Sequence, residues 1–231
     1  MSGPHDGQSA ATAGAPLDEA TGAVVLVHGR GASAESILRL GAEVAPPSFA
    51  LLAPQAAGGS WYPNSFLAPV EANEPGLSSG IAAALRAVAQ AEAAGLPRER
   101  IALGGFSQGA CLALETAARH ASRWGAVFAL SGGLIGTGPG DPAAPRLRGM
   151  GGTYAEKAFD YDGSLGGTPA FLGCSDVDPH IPRERVERTA EALTALGAEV
   201  DARLYPGFGH AVNADEVAAV RTLLSGLRQA T

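Results

Sequence analysis

The chain has 231 residues, of which 46% are hydrophobic, and its formal net charge is -7. This length fits one large α/β domain or two small ones, and the apolar content is ample for a sizeable core. The acidic balance disfavours nucleic acid or an anionic membrane surface as a partner, and no stretch approaches the roughly 20 apolar residues that span a bilayer.

Residues 1–20 are rich in Ala, Gly, Ser and Pro. They show neither the basic n-region nor the apolar h-region of a secretory signal. We therefore expect a flexible tail over 1–20, a single domain over 21–231 and a cytoplasmic protein. The two cysteines, Cys111 and Cys174, lie in apolar sequence without metal-ligand spacing. They are expected to be buried, reduced thiols rather than part of a disulfide framework or a metal site.

Strand and helix patterns alternate from residue 23 onward. The first strand pattern is an apolar run typical of a buried parallel strand, the sixth alternates, and two of the helix patterns are closed by Gly or Pro. The predicted strands cover 23–27, 48–53, 100–103, 124–130, 168–173 and 199–205. The predicted helices cover 34–44, 77–95, 108–120, 182–196 and 213–227. This alternation predicts a mainly parallel sheet of about six or seven strands with helices on both faces.

Two long loops interrupt the alternation. Residues 58–66 show no period, and residues 131–167 are rich in Gly and Pro, with one helical turn expected over 155–159. Loops of this length inside a compact domain are usually functional or disordered. Neither segment is predicted to form a large lid.

The residues that could take part in catalysis all follow predicted strands. Right-handed crossovers place the C-terminal ends of parallel strands on one edge of the sheet, where ligands bind in open α/β folds. The residues concerned are His28 and Arg30 after the first strand, Ser107 after the third, Asp176 and Asp178 after the fifth, and His210 after the sixth.

The sequence Gly105-Phe-Ser-Gln-Gly109 has the G-x-S-x-G pattern of a nucleophile elbow, with Ser107 at its centre. A serine on a sharp strand-to-helix turn is strained, and neighbours two residues away crowd it, which favours glycine there. A chain with 32 glycines can show this pattern by chance. The sequence context supports the interpretation as an elbow. A predicted strand precedes the pattern, a predicted helix follows it, and an acid and a histidine lie downstream.

A serine hydroxyl needs a base to act as a nucleophile, and the base needs an orienting carboxylate. His210 lies in a glycine-rich loop between a predicted strand and helix, and we expect it to be the base. The acid is Asp176 or Asp178, and the residues alone favour neither. Pro179 holds Asp178 in an extended conformation.

An oxyanion hole needs two N–H donors. One is expected from Gln108, at the start of a helix whose free N–H groups favour negative charge. Gln108 should act through this N–H rather than through its side chain. The other is expected from the backbone of Arg30, although its guanidinium could instead bind a substrate carboxylate. His28 is interpreted as a structural loop residue.

The substrate pocket is the least defined part of the prediction. Its expected wall residues are Trp61, Phe66, Leu134 and Phe208. His180 has two equally weighted interpretations, one as a residue facing the site and one as a helix-entry residue. Trp61 likewise has two, one as a substrate contact and one as ordinary core packing.

Four motifs in order carry a family resemblance. They are Val27-His-Gly-Arg-Gly31, Gly105-Phe-Ser-Gln-Gly-Ala110, Gly173-Cys-Ser-Asp-Val-Asp-Pro-His-Ile-Pro182 and Gly207-Phe-Gly-His210. Together they resemble the phospholipase/carboxylesterase family of α/β-hydrolases, which includes acyl-protein thioesterases and bacterial carboxylesterases. The resemblance covers nearly everything from residue 23 to the end. Members of that family usually begin with extra strands, which residues 1–20 do not resemble.

The resemblance implies roles for individual residues. It selects Asp178, directly before the proline, as the acid over Asp176. It places an oxyanion donor at Arg30, the third residue of the H-G-x-G loop, where the family often has an apolar residue. It also sets the loop around Trp61 beside the acyl pocket.

These observations predict a serine carboxylesterase that hydrolyses short-chain or aryl esters through an acyl-enzyme, with Ser107, Asp178 and His210 as the triad. No metal or cofactor is required. One alternative is an acyl thioesterase or lysophospholipase, and another is a hydrolase of an anionic ester or lactone that uses Arg30. A non-catalytic binding protein with a hydrolase fold is the remaining alternative. The expected partner is a small-molecule ester, without stable membrane insertion, and a homodimer is left open.

Overall fold

The computed structural model describes residues 3–227, so residues 1–2 of the predicted tail and 228–231 of the predicted domain lie outside it. The strands are β1 (Ala11–Gly14), β2 (Gly22–Val27), β3 (Phe49–Ala53), β4 (Ile101–Phe106), β5 (Ala126–Leu130), β6 (Thr137–Gly140), β7 (Arg146–Gly149), β8 (Gly152–Ala155), β9 (Lys157–Ala158), β10 (Pro169–Ser175) and β11 (Glu199–Tyr205). The α-helices are α1 (Ala34–Val44), α2 (Gly76–Ala93), α3 (Gln108–Arg119), α4 (Arg183–Ala195) and α5 (Ala214–Gly226).

Seven strands in the described part of the chain form one sheet, in the order β1-β3-β2-β4-β5-β10-β11. All neighbouring pairs are parallel except β1 and β3. The predicted α/β-hydrolase fold, with its mainly parallel sheet of six or seven strands, is therefore confirmed. The parallel strands point their C-terminal ends toward one edge, where the loops after β2, β4, β10 and β11 meet.

Helices cover the sheet on both faces. Side chains alternate along β2, so that Val25 and Val27 belong to one buried cluster and Val24 and Leu26 to another. The first cluster includes residues of α2, α3 and α4, and the second includes residues of α1 and α5. Burial of β2 on both faces explains its continuous apolar sequence.

The N-terminal segment differs from the flexible tail predicted over 1–20. Residues Ala11–Gly14 pair antiparallel with β3 at the edge of the sheet, and His5 is buried. The edge strand consists of small residues and is largely exposed, so it lacks the alternation that predicts a strand. The burial of His5 depends on hydrogen bonds to residues more than fifty positions away, which local sequence does not reveal.

The segment predicted as the loop 131–167 contains two small antiparallel pairs, β6 with β9 and β7 with β8. The predicted helical turn over 155–159 is wrong, because this stretch is extended and paired. Lys157 is fully buried, and its ammonium donates to the carbonyl oxygens of Phe66 and Ala68. Residues 131–167 are thereby attached to the loop that contains Phe66 and Ala68.

Both cysteines are buried and free, in agreement with the prediction. Among residues 3–227, none of the helices combines the length and apolar character needed to cross a membrane. Within the same residues, no group of three or more His, Cys, Asp and Glu side chains is arranged to hold a metal ion.

Candidate active site

Ser107 lies at the turn between β4 and α3, with φ of 57° and ψ of -124°. This positive φ is unfavourable for a residue with a side chain, and it aims Ser107 away from both the strand and the helix. A Cβ at Gly105 or at Gly109 would collide with the carbonyl oxygen of Val27. Close approach of β2 therefore requires both glycines of the motif.

The side chains of Ser107, His210 and Asp178 form a continuous hydrogen-bonded relay. His210 Nε2 lies 2.8 Å from Ser107 Oγ, and His210 Nδ1 lies 2.7 Å from Asp178 Oδ2. Because a carboxylate only accepts, Nδ1 carries the proton and Nε2 accepts from the serine hydroxyl. The Asp178 side chain is fully buried, and that of His210 is 18% exposed. The relay can remove a proton from Ser107.

Two backbone N–H groups hold the Asp178 carboxylate in place. Its Oδ1 accepts from His180 at 2.8 Å and from Ile181 at 3.1 Å. Burial raises the pKa of Asp178, but the hydrogen bonds from His210, His180 and Ile181 outweigh it, and the net pKa lies below the ordinary value. Asp178 is therefore ionised when it faces the imidazole.

Asp176 has a different partner from Asp178. Its Oδ1 accepts from the N–H of Gly207 at 2.9 Å, at the start of the loop that carries His210. In the same loop, the N–H of Gly209 donates to Ser175 Oγ at 3.2 Å. The structure therefore places Asp178 on the histidine and Asp176 on the loop backbone.

The two amides predicted for an oxyanion hole belong to Gln108, which directly follows Ser107, and to Arg30, in the loop after β2. The N–H of Gln108 is the first of α3 and has no intrahelical partner. The N–H of Arg30 makes no hydrogen bond to the residues that the structure describes. The preceding Gly29 packs on the nucleophile, since a Cβ placed there would lie 3.4 Å from Ser107 Cβ. Both N–H groups are free of hydrogen bonds to the described residues, and their catalytic role stays a prediction.

Residues 55–64, here named the clamp segment, contact both the loop after β2, which carries Arg30, and the turn that carries Ser107 and Gln108. The Gln108 side chain accepts from the Trp61 N–H at 3.0 Å and donates to the Tyr62 carbonyl oxygen at 2.8 Å. Sequence analysis assigned no role to this side chain. Its position one residue after a buried turn could have indicated contacts with a neighbouring loop.

Arg30 is bound to the clamp segment by its guanidinium. Nη1 donates to Ser60 Oγ at 2.8 Å and to the Pro63 carbonyl oxygen at 3.1 Å, and Nη2 donates to the Asn64 carbonyl oxygen at 2.8 Å. Burial lowers the pKa of Arg30, an effect that the nearby Tyr62 partly opposes. The guanidinium borders the active-site cavity, but much of its donor capacity is used within the protein.

His28 is buried and acts as a structural residue, in agreement with its interpretation from sequence. Its Nε2 accepts from the Ala56 N–H at 3.1 Å, and Nδ1 lies 2.8 Å from the Gly29 carbonyl oxygen. Burial lowers the pKa of His28, which favours the neutral imidazole that these contacts require.

A cavity of about 230 Å³ opens beside Ser107. Phe66, Cys111 and Ile181 contribute apolar side chains to its lining, and Met150 reaches it from the turn between β7 and β8. His180 also lines it, with its ring edge-on to His210 and the centroids 4.9 Å apart. Cys111 follows Ser107 by one helical turn, a spacing that could have identified it in advance.

Of the four predicted wall residues, the structure places Phe66 in the lining and leaves Trp61, Leu134 and Phe208 outside it. Trp61 is fully buried between the rings of two histidines. Leu134 is fully buried next to α4, and the Phe208 ring packs edge-on against Tyr205. Tyr62, Met150 and Ile181 are lining residues that sequence analysis missed, because loop packing decides which side chains face a cavity.

Comparison with known proteins identifies a family for the chain. The family model described as Phospholipase/Carboxylesterase matches residues 10–138, more than half of the chain. Acyl-protein thioesterase 1 of Gibberella zeae is 32% identical over 130 residues, which cover 56% of this chain and 49% of that protein. The same protein of Debaryomyces hansenii is 32% identical over 124 residues, covering 53% and 46%. The chain spans about half the length of the curated relatives it matches.

Two solved structures extend the comparison over nearly the whole chain. The phospholipase/carboxylesterase from Dyadobacter fermentans is 37% identical, with a TM-score of 0.83 over 94% of this chain and 96% of that chain. Acyl-protein thioesterase 2 of Zea mays is 19% identical, with a TM-score of 0.65 over 95% and 98%, and shows the shared fold alone. The elbow, the sheet order and these matches agree, and the chain belongs to the phospholipase/carboxylesterase family of α/β-hydrolases.

Proposed function

We propose that this protein is a serine hydrolase that cleaves short-chain or aryl carboxylic esters through an acyl-enzyme. The observation that carries the proposal is the relay from Ser107 through His210 to the buried carboxylate of Asp178, at 2.8 and 2.7 Å. These contacts match the geometry that a nucleophile, its base and an orienting acid require.

In the acylation step, Ser107 Oγ attacks the ester carbonyl carbon while its proton moves to His210 Nε2. The carbonyl oxygen becomes an oxyanion that accepts from the N–H groups of Arg30 and Gln108. The C–O bond to the alcohol then breaks, and His210 donates its proton to the departing alcohol oxygen. Asp178 stays ionised and stabilises the imidazolium formed in between.

In the deacylation step, water takes the place of the alcohol. His210 removes a proton from the water, whose oxygen attacks the acyl carbon, and the same two N–H groups receive the second oxyanion. The bond to Ser107 Oγ then breaks, and the serine regains its proton from His210. Both steps use one base and one pair of donors, which is why the site needs a single histidine.

The size and the lining of the cavity favour a substrate with a small acyl or aryl group. Its volume of about 230 Å³ is below the roughly 300–1,000 Å³ common for pockets that hold drug-sized ligands. Phe66 and Ile181 present apolar surface, which gains free energy from contact with hydrocarbon.

A thioester is the second candidate substrate, favoured by relatives that are named acyl-protein thioesterases. The same attack on a thioester carbonyl would expel a thiolate, which needs less help from His210 because thiols are more acidic than alcohols. Comparison of kcat/KM for a butyryl ester and its matched thioester would decide between them. The anionic-ester alternative has less support, because the Arg30 guanidinium already donates to the clamp segment.

A fluorophosphonate probe followed by peptide mass spectrometry tests the proposal. The probe should label Ser107, and Ser107→Ala should abolish both labelling and hydrolysis of p-nitrophenyl butyrate. Ser65→Ala is the matched control, since Ser65 lines the same cavity but its Oγ accepts from the Leu67 N–H. Labelling at another residue, or undiminished turnover by Ser107→Ala, would contradict the mechanism. No labelling of the folded wild type would favour a non-catalytic binding protein.

The remaining expectations stay predictions from the sequence. They concern the organisation as a single domain, a cytoplasmic location, small-molecule esters as the partner and the open question of a homodimer. Size-exclusion chromatography with light scattering would measure the oligomeric state of the purified chain.

A further inference from the structure

Trp61 connects the two loops that carry the candidate oxyanion amides, although it does not line the cavity. Its N–H donates to Gln108 Oε1 at 3.0 Å, and its indole N–H donates to the His28 carbonyl oxygen at 2.8 Å. The first bond reaches the residue after the nucleophile, and the second reaches the loop that leads into Arg30. Trp61 therefore links the two loops whose separation sets the distance between the candidate oxyanion donors.

His5 in turn holds Trp61 and the clamp segment. Its Nε2 lies 2.9 Å from the Trp61 carbonyl oxygen, and its Nδ1 lies 3.0 Å from the Ala57 nitrogen. Because the Ala57 N–H is a donor, Nδ1 accepts, and the proton on Nε2 is donated to Trp61. The imidazole is 2% exposed and packs edge-on against the indole, with centroids 5.2 Å apart.

The segment around His5 is itself fixed to α2. The His5 N–H donates to Ser79 Oγ at 2.9 Å, and Arg86 Nη2 donates to the His5 carbonyl oxygen at 3.0 Å. Arg86 also forms an ion pair with Asp6 at 3.0 Å. These contacts hold the imidazole against the clamp segment.

We propose that His5 is a positioning residue for the oxyanion hole and acts through Trp61. The role rests on the proposed function, because it presumes that the amides of Arg30 and Gln108 receive an oxyanion. Stabilisation by such donors depends on their being held in place before the reaction. Without His5, Trp61 loses its carbonyl contact, and the two loops it links gain freedom to separate.

His5→Ala in the full chain tests this role. With p-nitrophenyl butyrate, kcat should fall about 10- to 100-fold, the range expected when catalytic groups are displaced by up to about 1 Å. KM should change less than about twofold, because neither His5 nor Trp61 lines the cavity. His5→Gln should recover part of the loss, since its amide reaches the Nε2 position and can donate to Trp61.

A transition-state analogue separates positioning from general loosening. Affinity for a trifluoromethyl ketone, which forms an oxyanion on addition of Ser107, should fall by about the same factor as kcat/KM. Leu224→Ala is the stability control, because Leu224 is buried in the core on the opposite face of the sheet. It should lower the free energy of unfolding while kcat at 25 °C stays near that of the wild type.

Three results would overturn the proposal. Equal kcat for His5→Ala and wild type would show that His5 has no role in turnover. A similar kcat loss in Leu224→Ala at matched stability would assign the effect to stability alone. An inactive wild type would overturn the proposed function and this role together, a result distinct from the other two.

Discussion

The triad and the walls of the cavity are held in place by different kinds of contact. Ser107 directly follows β4, and the segments carrying Asp178 and His210 begin where β10 and β11 end. Hydrogen bonds between parallel strands therefore fix their starting points. The wall around Phe66 has no such support, and side chains that bind its loop carbonyls, such as Lys157, hold it instead. Single side-chain changes should thus alter the walls while the triad stays assembled.

Asp178→Asn should have the largest effect of the variants compared below. The substitution removes the charge that holds the Nδ1–H tautomer of His210, so kcat should fall by about 10⁴-fold. Asp176→Asn is the matched control, because an amide oxygen can still accept from the Gly207 N–H. Its kcat should stay within about threefold of wild type. Steady-state kinetics on p-nitrophenyl butyrate measure both, and a larger loss in Asp176→Asn would move the acid to that residue.

The contrast between the triad and the cavity walls also separates what the sequence predicted from what it did not. The alternation of apolar runs and helical spacing predicted α1 at its observed bounds and, within three residues, six of the seven strands that form the large sheet. It also brought the elbow, the acid loop and His210 to one edge of the sheet. These features depend on local pattern and on the geometry of parallel sheets.

The features that sequence did not predict depend on contacts between distant segments. Gln108 binds a loop 46 and 47 positions away, and Lys157 binds carbonyl groups about 90 positions away. Trp61 was predicted as a pocket wall because the family resemblance sets its loop beside the acyl pocket, with ordinary core packing as the alternative. Its indole N–H instead satisfies the carbonyl oxygen of His28 in the interior. No local pattern distinguishes these outcomes.

Gln108→Ala should have an intermediate effect. The backbone N–H of residue 108 remains, but the clamp segment loses its bonds to the elbow. Activity should therefore persist, with kcat about 10-fold lower, the cost of small displacements in a site. This revises the sequence-based expectation that the side chain has no role. A kcat for Gln108→Ala equal to wild type would show that the clamp does not need this side chain.

Phe66→Ala should change the preference for acyl-chain length more than it changes kcat. Truncation enlarges the cavity, so kcat/KM for hexanoyl relative to acetyl p-nitrophenyl ester should rise about 10-fold. Burial of about two further methylene groups, at roughly 0.8 kcal/mol each, supplies a change of this size.

Leu134→Ala is the matched control for Phe66→Ala, because Leu134 was a predicted wall residue but is fully buried outside the cavity lining. It should lower stability by about 2–5 kcal/mol, as large-to-small core substitutions do. Its chain-length profile should match that of the wild type. A profile shifted by Leu134→Ala and not by Phe66→Ala would reverse the assignment of the wall.

Glu216→Gln should have the smallest effect on turnover and should instead change stability with pH. Glu216 is fully buried in α5, and its Oε2 accepts from the Asn213 N–H at 2.7 Å. Within residues 3–227, its Oε1 has no hydrogen-bond partner. Burial raises the pKa of Glu216 to about 7, and the charges of Asp215 and Asp178 add to this, while the Asn213 N–H opposes it.

The sign of the pH effect follows from this raised pKa. Between the ordinary pKa of 4.5 and about 7, the folded state keeps a proton that the unfolded chain releases. The free energy of unfolding therefore falls as pH rises through this window. Glu216→Gln keeps an oxygen for the Asn213 N–H but does not titrate. Its stability relative to wild type should rise by about 1–3 kcal/mol between pH 5 and pH 8. Urea unfolding at both pH values measures the difference, and a constant difference would show that the Glu216 carboxylate behind Asp178 is as favourable charged as neutral.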